Sequence, residues 1–322
     1  MRISTNMVYS AGTSGILNNQ AAQLKTYNQV STGRRILSPE DDPVAASQVL
    51  IQTQAKGVNT QFMDNQSQAK ENLKLIETQL SAAGNTLQNV LDRAIQAGNT
   101  TLNDANRAAI AQELQVRLDE LVSLSNSQDG NGQYLFSGYQ STVRPFSTSL
   151  ATGPYNNANP YVVFSGDQGQ RTLQVDASRE MNISESGANI FVKVRDRNGN
   201  VASESVFDTV KNLVDTLNTP VANDPVAAAA LPGKITAALN GLYAAKDNIS
   251  TIRSSVGARL AELDSLATTS SDLDLQYEES ISNLRDLDYA SALSDLSKQQ
   301  VQLQAAQKAF MTVSGLSLFS ML

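Results

Sequence analysis

Apolar residues fall at alternating steps of three and four along much of this chain. The longest such stripe reads Phe62, Gln66, Ala69, Leu73, Ile76, Leu80, Ala83, Leu87, Val90, Ala94 and Ala97, with one polar member. Its mean step of about 3.5 residues is the period at which helices meet in a coiled coil. A helix from Pro43 to Ala97 would be about 80 Å long, far beyond the ordinary globular range. A second stripe of the same period reads Ile235, Ala238, Leu242, Ala245, Ile249, Ile252, Val256 and Leu263, broken by Arg259. Shorter stripes lie between them. Ile110, Leu114, Leu118 and Leu121 predict a helix opened by Asp104 as a cap, and Val206, Val210, Leu213 and Leu217 one ended by Pro220. A bundle drawn from both halves of the chain buries all these faces together.

The middle of the chain has another texture. Residues 134–207 hold nine of the 17 aromatic residues, so this stretch is marked off from the Leu- and Ala-rich helices around it. Short alternating runs occur at Tyr161–Phe164, Arg171–Val175 and Ile190–Val194, and Asn198-Gly199 is a favoured hairpin dipeptide. The expected fold is therefore mainly α: a long coiled-coil-like bundle built from the N- and C-terminal halves, with a small inserted β-rich domain. Residues 43–138 and 204–285 make the helical rod, and 139–203 the outer insert with a small core of its own.

The two ends carry thinner stripes. Near the start these are Leu17, Ala21, Leu24 and Tyr27, in a segment (1–39) with no acid. In the tail, Tyr289, Leu296, Leu303 and Phe310 stand seven apart, with Ala292, Ala306 and Val313 in the companion seam and Leu316 and Phe319 beyond. Isolated narrow stripes do not offset the entropy of ordering a helix, so these ends need a partner. Either they pair with each other within one bundle, or they pack on other copies of the chain. Between the first stripe and the rod, Ser38-Pro39 and Asp42-Pro43 each combine a good N-cap with a proline suited to the first helical turn. The motif ends one helix and starts the next.

Composition excludes more than it selects. A formal net charge of −7 argues against a nucleic-acid binder. With no His and no Cys, the commonest general base and the strongest nucleophile are absent, as are thiolate metal sites. The pairs Asp272/Asp274 and Asp286/Asp288 stand two apart and do not share a helix face. Asp196–Asn200 lacks the glycine and closing glutamate of a calcium loop. No catalytic residue, metal ligand or cofactor is expected. The start of the chain has no apolar core of signal-peptide length, and no segment is long enough to cross a bilayer, so no membrane partner is expected.

Several motifs, in this order, resemble a known family. Met1–Met7, Ser31-Thr-Gly-Arg-Arg35, Ser38–Ser47, Gly132–Tyr139, Val256–Asp264, Asp288-Tyr-Ala290, Leu303–Gln307 and Leu316–Ser320 are together similar to the hook-associated protein 3 (FlgL) family of the flagellin superfamily. The resemblance covers all but the insert. It implies a structural subunit of the bacterial flagellum at the hook–filament junction, exported unfolded, without a cleaved signal, through the flagellum's own type III apparatus. It also implies that residues 1–42 and 286–322 are disordered in the monomer and become assembly helices. Leu17, Leu24, Tyr27, Leu296, Leu303, Phe310, Val313, Leu316 and Phe319 would then lie at the assembly interface. Implied partners are further copies of the chain, the other hook-associated junction protein, flagellin, and an export chaperone for the apolar tail. A flagellin filament subunit is the alternative, although flagellins typically lack a proline after the acidic pair and end differently.

Overall fold

A computed structural model describes residues 5–99, 101–195, 200–202 and 204–319, with side chains at all of these except 5, 6, 8 and 315–319. The described helices are α1 (Thr5–Thr32), α2 (Pro43–Ala97), α3 (Asp104–Ser125), α4 (Val206–Asn218), α5 (Pro225–Arg285) and α6 (Tyr289–Phe319). The strands are short: β1 (Phe146–Thr148), β2 (Val162–Phe164), β3 (Thr172–Asp176) and β4 (Arg179–Asn182). The chain divides into two compact units, residues 61–270 and residues 1–60 with 271–322.

The larger unit holds the main core. Every member of the long α2 stripe from Gln66 to Ala97 is buried, as are Ile110, Leu114, Leu118 and Leu121 of α3 and the four expected positions of α4. On α5 the stripe is buried from Ile235 to Leu263 except at half-buried Ile252. The helix ends follow local chemistry. The cap of α3 is Asn103, whose side chain accepts from the Asn106 amide at 2.8 Å; its extended backbone suits that role. Asp104, the cap expected from sequence, is instead the first helical residue and pairs with Arg107. Ser205 and Asp208 form a capping box at the start of α4.

The β-rich stretch consists of two antiparallel pairs, β1 with β2 and β3 with β4. Phe146 stands opposite Phe164 in the first, and a bulge lies between Gln174 and Asp176 in the second. The run Ile190–Val194 is not a strand. It begins in a π-helical turn (Ala188–Val192) that sends the adjacent residues Ile190 and Phe191 both inward, which alternating strand geometry would forbid. The expected turn at Asn198-Gly199 lies outside the described residues; Arg195 and Val201 flanking it pair as an antiparallel bridge.

Nor does the insert keep a core of its own. Phe146 of β1 packs 5.4 Å from Phe207 of α4 and 5.7 Å from Phe191, and Phe136 lies 5.8 Å from Phe191. These rings join the helical stripes in one continuous apolar cluster. Polar side chains tie the same surfaces. Gln66 Nε2 donates to Val175 O at 2.8 Å, Asn248 Nδ2 donates to Asn189 O and Ile190 O at 3.0 Å, and Tyr161 N donates to buried Asp208 at 2.7 Å. Arg259, the break in the α5 stripe, donates to Asn182 O at 2.9 Å and pairs with Glu185. The break in periodicity is thus where α5 grips the β4 segment.

In the smaller unit α1 packs against α6. Lys56 of α2 pairs with Glu278, and lies 3.7 Å from Asp274, on α5. Ala45, Ile281 and Ala292 are the only buried apolar side chains among the described residues of this unit.

Candidate assembly interface

Two chain crossings organise the smaller unit. α1 stops at Gly33, whose φ of +69° is the left-handed conformation that ends helices and favours glycine. The next residues run antiparallel to the α5–α6 connection. Arg35 N donates to Arg285 O at 2.7 Å and Leu287 N to Gly33 O at 3.0 Å, with Arg34 opposite Asp286. Asp41 then holds the turn: one carboxylate oxygen accepts from the amides of Leu37 (2.9 Å) and Ser38 (3.1 Å), and the other meets Lys25 at 2.6 Å. The Lys25 hydrogen bond, followed by these two amides, lowers the Asp41 pKa to about 2.

Asp42 caps α2, accepting from the Ala45 amide at 3.0 Å ahead of Pro43, and that hydrogen bond is the first cause of its lowered pKa. Ser38 and exposed Pro39 start no helical turn. The Ser38 carbonyl accepts from Asp41 N at 3.1 Å in a tight turn, and the Asp41 carboxylate in turn takes the amides of Leu37 and Ser38. Asp41 went unremarked as a turn residue in sequence; its signal was an Asx-type acid directly before a second capping acid.

The faces of α1 are inverted relative to a core helix. The side toward α6 includes Gly12, Ile16, Asn19, Gln23 and Thr26, half-buried or buried and largely small or polar. The more apolar side points outward: Leu17, Leu24 and Tyr27 are each at least 60% exposed. On α6, Leu296, Leu303 and Phe310 are half-buried. Phe310 stacks 5.0 Å from Tyr9 and covers Gly12, where a Cβ would come within 2.5 Å of its ring. Val313 is half exposed, and the side chains of Leu316 and Phe319 lie outside the described residues. The tail seam therefore faces α1 of the same chain, while the α1 stripe is free.

A second outward line, not anticipated from sequence, runs along the start of α2. Val44, Ile51 and Val58 stand seven apart and are 67%, 61% and 46% exposed. Their seven-residue spacing was the available signal. The covered side of this segment mixes apolar Ala45, Ala46, Val49 and Ala55 with polar Gln52, Lys56 and Asn59, half-buried or buried. The unit thus leaves several large apolar side chains of α1 and α2 exposed, an arrangement suited to packing against further protein.

Models of the bacterial flagellin N-terminal and C-terminal helical regions match residues 3–141 and 239–322. The matches take in α1–α3 and most of α5 with α6, leaving the β pairs and α4 unmatched. Flagellar hook-associated protein 3 of Salmonella typhimurium is 36% identical over 100% of this chain and 99% of its own length. The chain belongs to the flagellar hook-associated protein 3 family. A flagellin of Bacillus subtilis is more distant, 26% identical over 95% of this chain and 94% of its own. The crystal structure of the flagellar junction protein FlgL from Legionella pneumophila shares the fold, with a TM-score of 0.62 at 21% identity, covering 74% of this chain and 100% of that one. Like its hook-associated protein 3 relatives, the chain is a structural protein of the bacterial flagellum, not an enzyme, and assembles with other flagellar components.

Proposed function

We propose that this chain is a hook–filament junction subunit that polymerises through its terminal helices. The observation that carries the reading is that the smaller unit displays Leu17, Leu24, Tyr27 and Ile51 while, among its described residues, fully burying only Ala45, Ile281 and Ala292 of its apolar side chains. Covering Leu17, Leu24 and Tyr27 on a neighbouring copy would contribute on the order of several kcal/mol, offset in part by ordering and association costs. The α1–α6 seam is weak alone. It includes Gly12 and Gln23, and the side-chain oxygen of Gln299 is buried without a hydrogen-bond partner. The helices α1 and α6, within residues 1–42 and 286–322, accordingly gain their lasting order on assembly.

Leu296, Leu303 and Phe310 serve this by holding α6 to α1, and Val313, Leu316 and Phe319 extend the apolar end. The partners are further copies, the second hook-associated junction protein, flagellin, and an export chaperone on the tail. Export runs through the flagellar type III apparatus to the cell exterior, a route open to a chain with no cysteine and hence no disulfide to reduce.

The test is Leu17→Asp with Leu24→Asp. Both sites are exposed, so the monomer should keep its stability within about 0.5 kcal/mol. Sedimentation and electron microscopy should show loss of self-assembly. Normal assembly of this double variant would refute the role given to α1.

A further inference from the structure

The clasp between the two crossings does more than connect helices. We propose that it is a preformed register pin: it closes in the isolated chain and sets the alignment from which α1 and α6 zip together. This rests on the reading that α1 and α6 order on assembly.

The clasp is made chiefly of backbone. To the paired bonds of Arg35 with Arg285 and Leu287 with Gly33 are added Arg35 Nη2 to Leu284 O at 2.7 Å and Gln29 Nε2 to Arg35 O at 2.6 Å. Asp286, within it, accepts from Ser282 Oγ at 2.8 Å. The little core this unit has flanks the crossings, at Ala45 and Ile281 on one side and Ala292 on the other. Farther along, the α1–α6 seam mixes Ile16, Leu296 and Leu303, each only half-buried, with Asn19 and Gln299 before reaching Gly12 and the Tyr9–Phe310 contact. Local stability is therefore greatest at the clasp and falls toward the helix ends.

Register is the problem this solves. Leu296, Leu303 and Phe310 repeat every seven residues, so a slip of one heptad would place an apolar side chain in much the same surroundings. A small-residue seam on α1 would resist such a slip only weakly. The clasp removes the choice, because Arg34 faces Asp286 in an antiparallel pair and that pairing fixes every later step. It also relieves the helices of part of their nucleation cost. Gly33 completes the fit: its φ of +69° is strained for any residue with a Cβ, and a Cβ there would also meet the Tyr289 hydroxyl at 2.8 Å.

The bonding pattern makes Arg34 and Asp286 a non-hydrogen-bonded pair, with Cα atoms about 4.5 Å apart, a separation a disulfide can span. The chain has no cysteine to interfere. Hydrogen exchange on the full-length monomer should find the Arg35 and Leu287 amides about 100-fold slower than those of Leu17 and Leu24. The Arg34→Cys/Asp286→Cys chain, oxidised, should assemble at least as fast as its reduced form. Uniformly fast exchange would overturn the pin and leave ordering on assembly standing. Uniformly slow exchange would overturn that underlying reading instead. A reduced form that assembles where the oxidised form does not would show that the clasp must open, and would also overturn the pin.

Discussion

Replacing Phe146 by alanine tests whether the insert and the helices are one folding unit. Phe146 is wholly buried, and its ring lies 5.1 Å from Phe164, 5.7 Å from Phe191 and 5.4 Å from Phe207. Those partners belong to β2, the π-helical turn and α4, so a cavity here is felt on both sides of the supposed domain boundary. Phe→Ala in a packed core costs about 3–5 kcal/mol. In a unit of residues 61–270, each kcal/mol lowers the melting point by about 2–4 °C, giving a shift of roughly 6–20 °C. Circular dichroism at about 222 nm follows the helices, and hydrogen exchange of peptides from 146–182 follows the insert. Both should report the same lowered midpoint. If the insert peptides open early while the helical signal keeps its wild-type midpoint, the shared core is wrong and the insert is a separable domain.

Three further outcomes follow from the same geometry. Ile76→Asp places a charge at a site 1% exposed and should cost on the order of 3–5 kcal/mol by thermal melting, whereas Asn72→Asp, at a half-buried polar site, should cost far less; equal costs would refute the stripe register. Asp41, with its pKa lowered to about 2 from an ordinary 3.8, stabilises the turn above pH 3.8 and loses that contribution as pH falls through 2. The Leu37 and Ser38 amides should therefore lose protection at low pH relative to their intrinsic exchange, and Asp41→Asn should abolish that dependence. Deleting residues 310–322 should leave the melting of residues 61–270 unchanged yet abolish incorporation at the hook, and a truncated chain that still incorporates would refute the assembly role of the tail.

Much of the helical fold was legible because one force wrote it. Leu73, Ile76, Leu80 and Leu87 are buried as their spacing requires, since a seven-residue repeat leaves a helix only one face to hide. On α1 the periodicity left two readings open, pairing within the chain or packing on other copies; Leu17, Leu24 and Tyr27 face outward, while largely small and polar residues face α6. Sequence periodicity marks a face that will be covered and does not say by which chain. The run Ile190–Val194 holds one polar residue in five, too weak an alternation to specify a strand, and the need to bury adjacent Ile190 and Phe191 selected a turn. Asn103 and Asp104 are both good caps, so only backbone geometry could choose between them. The clasp was illegible: its two paired bonds run backbone to backbone across distant segments, and the side-chain bonds added to them end on backbone carbonyls, which periodicity does not encode.

The central claim, that this chain builds the junction on which the filament stands, is tested most directly by electron microscopy of hook ends in a strain lacking it. The account predicts complete hooks without filaments, with flagellin released into the medium, and filaments restored by the wild-type chain but not by Leu17→Asp/Leu24→Asp. Filaments of normal length on the hooks of the deletion strain would contradict it.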